Sequence, residues 1–126
     1  MASVAKGAFE VKLLPEKSDE YIARMTIDKV FKGDLQATSI GQMLSASTEV
    51  QGSAAYVAME RVVGTLHNKH GSFVLQHRGT MNRGSSELSI KVVPDSATGE
   101  LVGLSGQMKI IISDSHHSYE FEYEMA

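Results

Sequence analysis

The sequence contains no cysteine and no tryptophan, and only two prolines among its 126 residues. Without cysteine the protein has no disulfide, no thiolate nucleophile and no cysteine-ligated zinc. The net charge is −3 and lysine and arginine never cluster, so we expect no nucleic-acid partner. Long apolar runs are also missing: no segment approaches the roughly 20 apolar residues of a membrane-spanning helix, and residues 1–7 lack the apolar core of a signal peptide. We therefore expect a cytoplasmic protein without a membrane partner, folded as one domain over residues 1–126.

Apolar and polar residues alternate along most of the chain, which is typical of half-buried β-strands. The alternation is cleanest near the C-terminus, where Tyr119, Phe121 and Tyr123 are separated by glutamates. Turn sequences divide the chain into about eight such segments, as expected for β-meanders and barrels. The predicted strands cover residues 9–15, 21–31, 35–47 (with a bulge near Gly41), 54–66, 72–81, 88–92, 104–112 and 119–125. The pattern favours an all-β, eight-stranded antiparallel β-barrel, because closure removes exposed sheet edges; a β-sandwich is the alternative.

Residues 53–81 are the most informative part of the sequence for function. They predict a hairpin of two long strands, 54–66 and 72–81, joined by a polar turn at 67–71. The inward row of this hairpin is apolar except for Glu60 on the first strand and His77 on the second. Two polar side chains on an otherwise apolar face indicate either a buried structural pair or the floor of a pocket.

The predicted strand register decides how these two side chains meet. If Leu66 pairs with Phe73, Glu60 lies opposite Gly79 and diagonal to His77, with free space beside the carboxylate. When a desolvated carboxyl group lies near an imidazole, the pKa of either group can move toward neutrality, which suits general acid–base catalysis. The alternative is a hydrogen-bonded pair that fixes the register of the strands.

Tyrosines are the other candidate pocket residues. Tyr21, Tyr56, Tyr119 and Tyr123 all fall on apolar faces. We regard Tyr56, Tyr119 and Tyr123, together with Glu60 and His77, as candidate ligand-binding residues. The alternative is that the tyrosines are core residues, each with one satisfied hydroxyl.

The remaining polar clusters predict no site. Arg61, Gln76 and Arg78 fall on the outer face of the hairpin, as on any solvated barrel exterior. His116 and His117 follow Asp114, but adjacent strand residues point to opposite faces, so we expect no metal site. The sequence has neither a G-x-S-x-G nucleophile elbow nor a phosphate-binding glycine loop. We expect no cofactor.

Several long blocks resemble a known family. They are GAFEV (7–11), GDLQATSIGQMLSA (33–46), GSAAYVAMERVVGTL (52–66), GSFVLQHRGTM (71–81) and VVPDSATGELVGLSGQMKI (92–110). In this order they are similar to an uncharacterised bacterial domain-of-unknown-function family whose barrel is built like that of allene oxide cyclase. The resemblance implies an eight-stranded barrel with room for a small molecule and suggests homo-oligomers. It implies no reaction, because one fold hosts many functions.

Three functional hypotheses follow. The first is a barrel that binds a small apolar molecule, oriented by Glu60 and His77. The second is an isomerase or cyclase that uses Glu60 or His77 as acid or base. The third is a non-catalytic interaction module whose barrel is filled by side chains.

Overall fold

The computed structural model describes residues 2–126, which form nine β-strands and no helix. The strands are β1 (Ser3–Pro15), β2 (Ala23–Phe31), β3 (Leu35–Ser47), β4 (Ala54–Leu66), β5 (Lys69–Asn82), β6 (Ser85–Val92), β7 (Thr98–Gly99), β8 (Leu104–Ser113) and β9 (His116–Met125). Across these residues the structure has no helix with the length and hydrophobicity needed to cross a bilayer.

Eight of the strands form a closed antiparallel barrel. The neighbours run β4-β3-β2-β1-β9-β8-β6-β5, and pairing of β4 with β5 closes the ring. β7 is an additional two-residue strand that pairs with β5 at Gly71 and Ser72. The expected eight-stranded barrel is confirmed, and the sandwich alternative is wrong because a sandwich would leave the sheet open.

The wall of the barrel is continuous except at one seam. β6 and β8 share only one residue pair, Lys91 with Gln107. The other seven neighbouring pairs are joined by longer ladders. The seam therefore leaves backbone groups of β6 and β8 unpaired toward the ends Ser85 and Ser113.

The two ends of the barrel differ. At the end that holds the turn after β2 and the loop between β6 and β8, the interior is filled by large side chains that are at most 2% exposed: Phe31, Leu35, Leu66, Phe73, Leu101, Tyr119 and Phe121. At the opposite end, inward-facing apolar side chains are open to solvent, among them Leu13, Met81, Leu88 and Ile112. We call these the filled end and the open end.

The β4–β5 hairpin has a different register from the predicted one. His67 and Asn68 both have positive φ (44° and 68°), so they form a two-residue turn and Leu66 pairs with Lys69 rather than Phe73. The prediction of a five-residue turn at 67–71 is therefore wrong. The shift is four positions (73 − 69), an even number, so Glu60 and His77 still face inward.

The predicted bulge near Gly41 is also wrong. Gly41 pairs in register with Ile27 on one side and Glu60 on the other, so both ladders pass through it without interruption. Ile40 and Leu44 break the alternation because they are exposed on the outer face, not because the strand bends.

Candidate functional site

Four adjacent strands each place one polar side chain in the middle of the barrel. They are Lys29 on β2, Ser39 on β3, Glu60 on β4 and His77 on β5, and all four are buried. Each occupies an inward position of its strand, where the neighbouring inward residues are apolar or glycine. We call these four residues the polar cluster.

The carboxylate of Glu60 is the centre of the polar cluster. Lys29 Nζ donates a hydrogen bond of 2.9 Å to Glu60 Oε2, and Ser39 Oγ donates one of 3.3 Å to Oε1. His77 Nε2 also lies 2.9 Å from Oε2. Its N–H bond is not aligned with that oxygen, so the contact is electrostatic rather than a well-formed hydrogen bond. The side chain of Glu60 has no exposed surface.

The glycine that makes room for Glu60 is Gly41 rather than the expected Gly79. Gly41 lies opposite Glu60, and a Cβ at Gly41 would come within 2.7 Å of the Cβ of Glu60. Gly79, expected to leave space beside the carboxylate, lies opposite Tyr56 instead. The carboxylate is therefore tightly enclosed rather than adjacent to free space.

Lys29 is held by aromatic rings as well as by the carboxylate. Its Nζ lies 5.1 Å from the ring centroid of Phe9 and 5.3 Å from that of Phe31, within the range of cation–π attraction. Only 6% of its side-chain surface is exposed. The ammonium group is thus surrounded within the barrel and points to Glu60.

Glu60 is ionised in this environment. Burial raises the pKa of Glu60, but the contact with His77 and the charge of Lys29 outweigh burial and hold the pKa below its ordinary value. The pKa of Glu60 therefore does not move toward neutrality, which was one of the two shifts that the sequence allowed. A carboxylate and an ammonium give a cluster that carries no net charge when His77 is neutral.

Tyr56 links the polar cluster to the open end. Its ring lies across Gly79, where a Cβ would be 2.3 Å from Tyr56 Cε1. Its hydroxyl is 3.4 Å from His77 Nδ1. Burial, and secondarily the charge of Glu60, raises the pKa of Tyr56, so the hydroxyl stays protonated at neutral pH.

Tyr56 also lines a cavity at the open end. The cavity has a volume of about 360 Å³ and is formed by the ends of β3, β4, β5 and β6. Its apolar lining includes Met43, Met81 and Leu88. A volume of this size is near the lower limit of small-molecule sites, which run from roughly 300 to 1,000 Å³.

Tyr119 and Tyr123, the other tyrosine candidates, lie toward the filled end. The hydroxyl of Tyr119 accepts a hydrogen bond from the backbone N–H of Leu35 and donates to the carbonyl of Lys32. The hydroxyl of Tyr123 contacts His67 Nδ1. Both hydroxyls are engaged within the protein and neither contacts the polar cluster. Tyr21 lies outside the strands and is 74% exposed.

The remaining polar candidates do not assemble into a site. Arg61 Nη2 donates to Ser72 Oγ on the outer face of the hairpin. His116 begins β9, and the ring of His117 packs 5.3 Å from the ring of Phe9. In residues 2–126 no three histidine, aspartate or glutamate side chains converge as metal ligands.

Sequence reasoning missed Lys29 and Ser39, although a signal was present. Lys29 is two residues from both Ile27 and Phe31, so it occupies an inward position of the same row. Ser39 occupies the equivalent place between Ala37 and Gly41. Reading every inward position by parity, rather than only the apolar ones, would have found both.

Comparison with known proteins identifies the family but no activity. The family described as "Protein of unknown function (DUF3224)" matches residues 5–123. A crystal structure of a DUF3224 protein of unknown function from Shewanella oneidensis MR-1 is 47% identical, with a TM-score of 0.96, over 100% of this chain and 98% of that one. No curated protein matches. Because the family match covers nearly the whole chain, the protein belongs to the DUF3224 family, a family of unknown function.

Proposed function

We propose that this protein binds a small, largely apolar molecule in the cavity at the open end of its barrel. The observation that carries the proposal is the position of Tyr56, which lines the cavity and reaches His77 of the polar cluster. Ligand sites typically combine an apolar lining with a few fixed polar groups. The cavity has both. The cytoplasmic location expected from the sequence is part of this proposal.

In this proposal the polar cluster acts through Tyr56 rather than by touching the ligand. Glu60 has no exposed side-chain surface and both of its oxygens have partners. His77 stands between Glu60 and Tyr56. The role first assigned to Glu60 and His77, orienting the ligand directly, therefore moves to Tyr56, with the cluster holding it in place.

In the enzymatic alternative, which uses Glu60 or His77 as acid or base, Glu60 is the weaker candidate. A general acid or base needs access to the substrate and a pKa near the working pH. Glu60 is enclosed and its pKa is lowered. Binding without catalysis by Glu60 is the function that the geometry supports best.

The proposal predicts that a charge added among the apolar residues of the cavity weakens binding. Leu88 lines the cavity and is 50% exposed, so Leu88→Glu should fold normally while making the cavity unfavourable for apolar molecules. Val102 is 64% exposed and lies in the loop between β6 and β8, so Val102→Glu is the matched control. We expect wild type and Val102→Glu to bind the neutral dye Nile red, and Leu88→Glu to bind it at least tenfold more weakly.

Native mass spectrometry of the purified protein would show any molecule that it retains. Equal dye binding by all three proteins would contradict the proposal.

A second candidate function is self-association through the outer wall. Ile40, Leu44, Val57 and Met59 form an apolar patch on the outer face of β3 and β4, each between 46% and 66% exposed. A groove of about 470 Å³ runs beside three of them, Leu44, Val57 and Met59. Contiguous exposed apolar side chains of this kind are typical of protein–protein interfaces. We name this surface the outer patch.

A further inference from the structure

We propose that the molecule bound in the open-end cavity is uncharged and donates a hydroxyl or N–H hydrogen to the oxygen of Tyr56. This inference rests on the binding function proposed above and specifies the chemical class of its ligand. It follows from two features of the site: which charges face the cavity, and which way the hydrogen bonds of the cluster run.

The charges around the cavity disfavour an anion. None of the described residues that line it is a lysine, arginine or histidine. Among the lining residues that the structure describes, Glu87 is the only charged one. Lys29, the nearest cation of the interior, is already paired with Glu60. A carboxylate placed among the methionines of this cavity would lose its hydration without gaining a counter-ion, which is costly.

The position of Glu60 determines which nitrogen of His77 carries the proton. Although the Nε2–H bond of His77 is not aligned for a hydrogen bond, a carboxylate oxygen 2.9 Å from Nε2 favours the imidazole tautomer that carries its proton on Nε2. Nδ1 is then the acceptor nitrogen, and the group that faces it at 3.4 Å is the hydroxyl of Tyr56. The tyrosine O–H therefore donates inward to His77.

A tyrosine that donates inward presents only lone pairs to the cavity. Its single hydrogen is directed to His77, so its oxygen is left as an acceptor for whatever lies in the cavity. An alcohol or a secondary amide can supply the matching hydrogen, whereas an ether or an ester cannot. Because an unmatched polar contact in a desolvated site is unfavourable, the site should discriminate between these classes.

The test uses three probes with nearly equal apolar bodies: 1-nonanol, its isomer methyl octyl ether, and nonanoate. Their affinities are measured by displacement of Nile red at pH 7.5. The proteins are wild type, Tyr56→Phe and, as a matched control, Tyr21→Phe, which removes an exposed hydroxyl outside the strands. Circular dichroism and thermal unfolding confirm that each variant is folded.

For wild type and Tyr21→Phe we expect nonanol to bind about tenfold more tightly than the ether, the contribution of roughly one hydrogen bond. Nonanoate should bind at least tenfold more weakly than nonanol. Tyr56→Phe should retain ether binding and lose the preference for the alcohol.

The outcomes separate this inference from the function beneath it. If all three probes bind wild type equally, or if Tyr56→Phe keeps the alcohol preference, the ligand class proposed here is wrong while the binding function stands. If neither Nile red nor any probe binds wild type, the binding function itself fails.

Discussion

At the scale of single residues, the protein concentrates its buried polarity around one carboxylate. Glu60 contacts an ammonium, an imidazole and a hydroxyl within a shell of apolar side chains. These buried charged and polar side chains stabilise the protein only when all of them are present. Removing one partner of a buried ion pair leaves an uncompensated charge, whereas removing both charges together is often tolerated.

The first residue-scale prediction concerns Lys29 and Glu60. Lys29→Met should lower the free energy of unfolding by about 3–5 kcal/mol, because it leaves the carboxylate of Glu60 without its cation. Adding Glu60→Gln to Lys29→Met should recover part of that loss. Urea unfolding of the two single variants and the double variant measures the coupling. Lys109→Met, on the exposed face of β8, is the control and should change stability by less than about 0.5 kcal/mol. A loss of under about 1 kcal/mol for Lys29→Met would show that the pair is not maintained in solution.

The second prediction follows from the lowered pKa of Glu60. Its unperturbed value is 4.5 and its folded value is lower. The stability contributed by the ionised form is therefore complete above pH 4.5 and is lost as the pH falls through the folded pKa. We expect wild type to lose more stability than Glu60→Gln between pH 6 and pH 3, measured by urea unfolding at each pH. Parallel curves for the two proteins would contradict the lowered pKa.

These residues also show how far the sequence could lead. Alternation placed Glu60 and His77 on the inner face, and that assignment survived a register error because the error was an even number of residues. Lys29 was missed because lysine is almost never buried unless paired, so the sequence favours an exposed position. Its partner becomes visible only when β2, β3 and β4 lie side by side.

At the scale of elements, the hairpins are set by their turns. Three two-residue turns join β4 to β5, β5 to β6 and β8 to β9, each with positive φ at both central residues. This conformation matches the twist of the strands but is unfavourable for most residues with a side chain. The sequence of the first turn, His67-Asn68, lacks the glycine that marks such turns, which is why the pairing register was misjudged.

The element-scale prediction concerns the turn between β8 and β9. Ser115 has a φ of 66°, a conformation that glycine adopts without strain. Ser115→Gly should raise the free energy of unfolding by about 1 kcal/mol, as measured by urea unfolding. The control is Ser105→Gly within β8, where glycine weakens a strand and should lower stability by about 0.5–1 kcal/mol. Destabilisation by Ser115→Gly would mean that the serine side chain makes a contact that outweighs its backbone strain.

At the scale of the whole molecule, the two ends of the barrel differ: side chains fill one end, and the other is open to solvent. The barrel itself followed from eight alternating segments. Its asymmetry could not be predicted, because Leu88 and Ile112 occupy inward positions that the pattern assigns to the core. They are 50% and 67% exposed because the strands that carry them separate at the β6–β8 seam.

The whole-molecule prediction concerns the outer patch. If it is an interface between copies of this chain, native mass spectrometry and sedimentation velocity should show a defined oligomer for the wild-type protein. Ile40→Lys combined with Val57→Lys should give monomers, because a charge at the centre of an apolar interface is unfavourable. Val102→Lys, on the loop between β6 and β8, should leave the oligomer intact. A monomeric wild type would rule out this second function.

The filled end of the barrel limits how a bound molecule could enter and leave. Buried side chains fill that end, so a molecule bound in the cavity would enter and leave through the open end. Two bound molecules could not pass one another in a cavity of about 360 Å³. Exchange of one molecule for another would therefore be sequential, and residence time would depend on how readily the rim around Met81 and Leu88 lets the first one go. If the proposed binding function is correct, a barrel closed at one end is suited to holding or presenting a molecule rather than to conducting molecules through it.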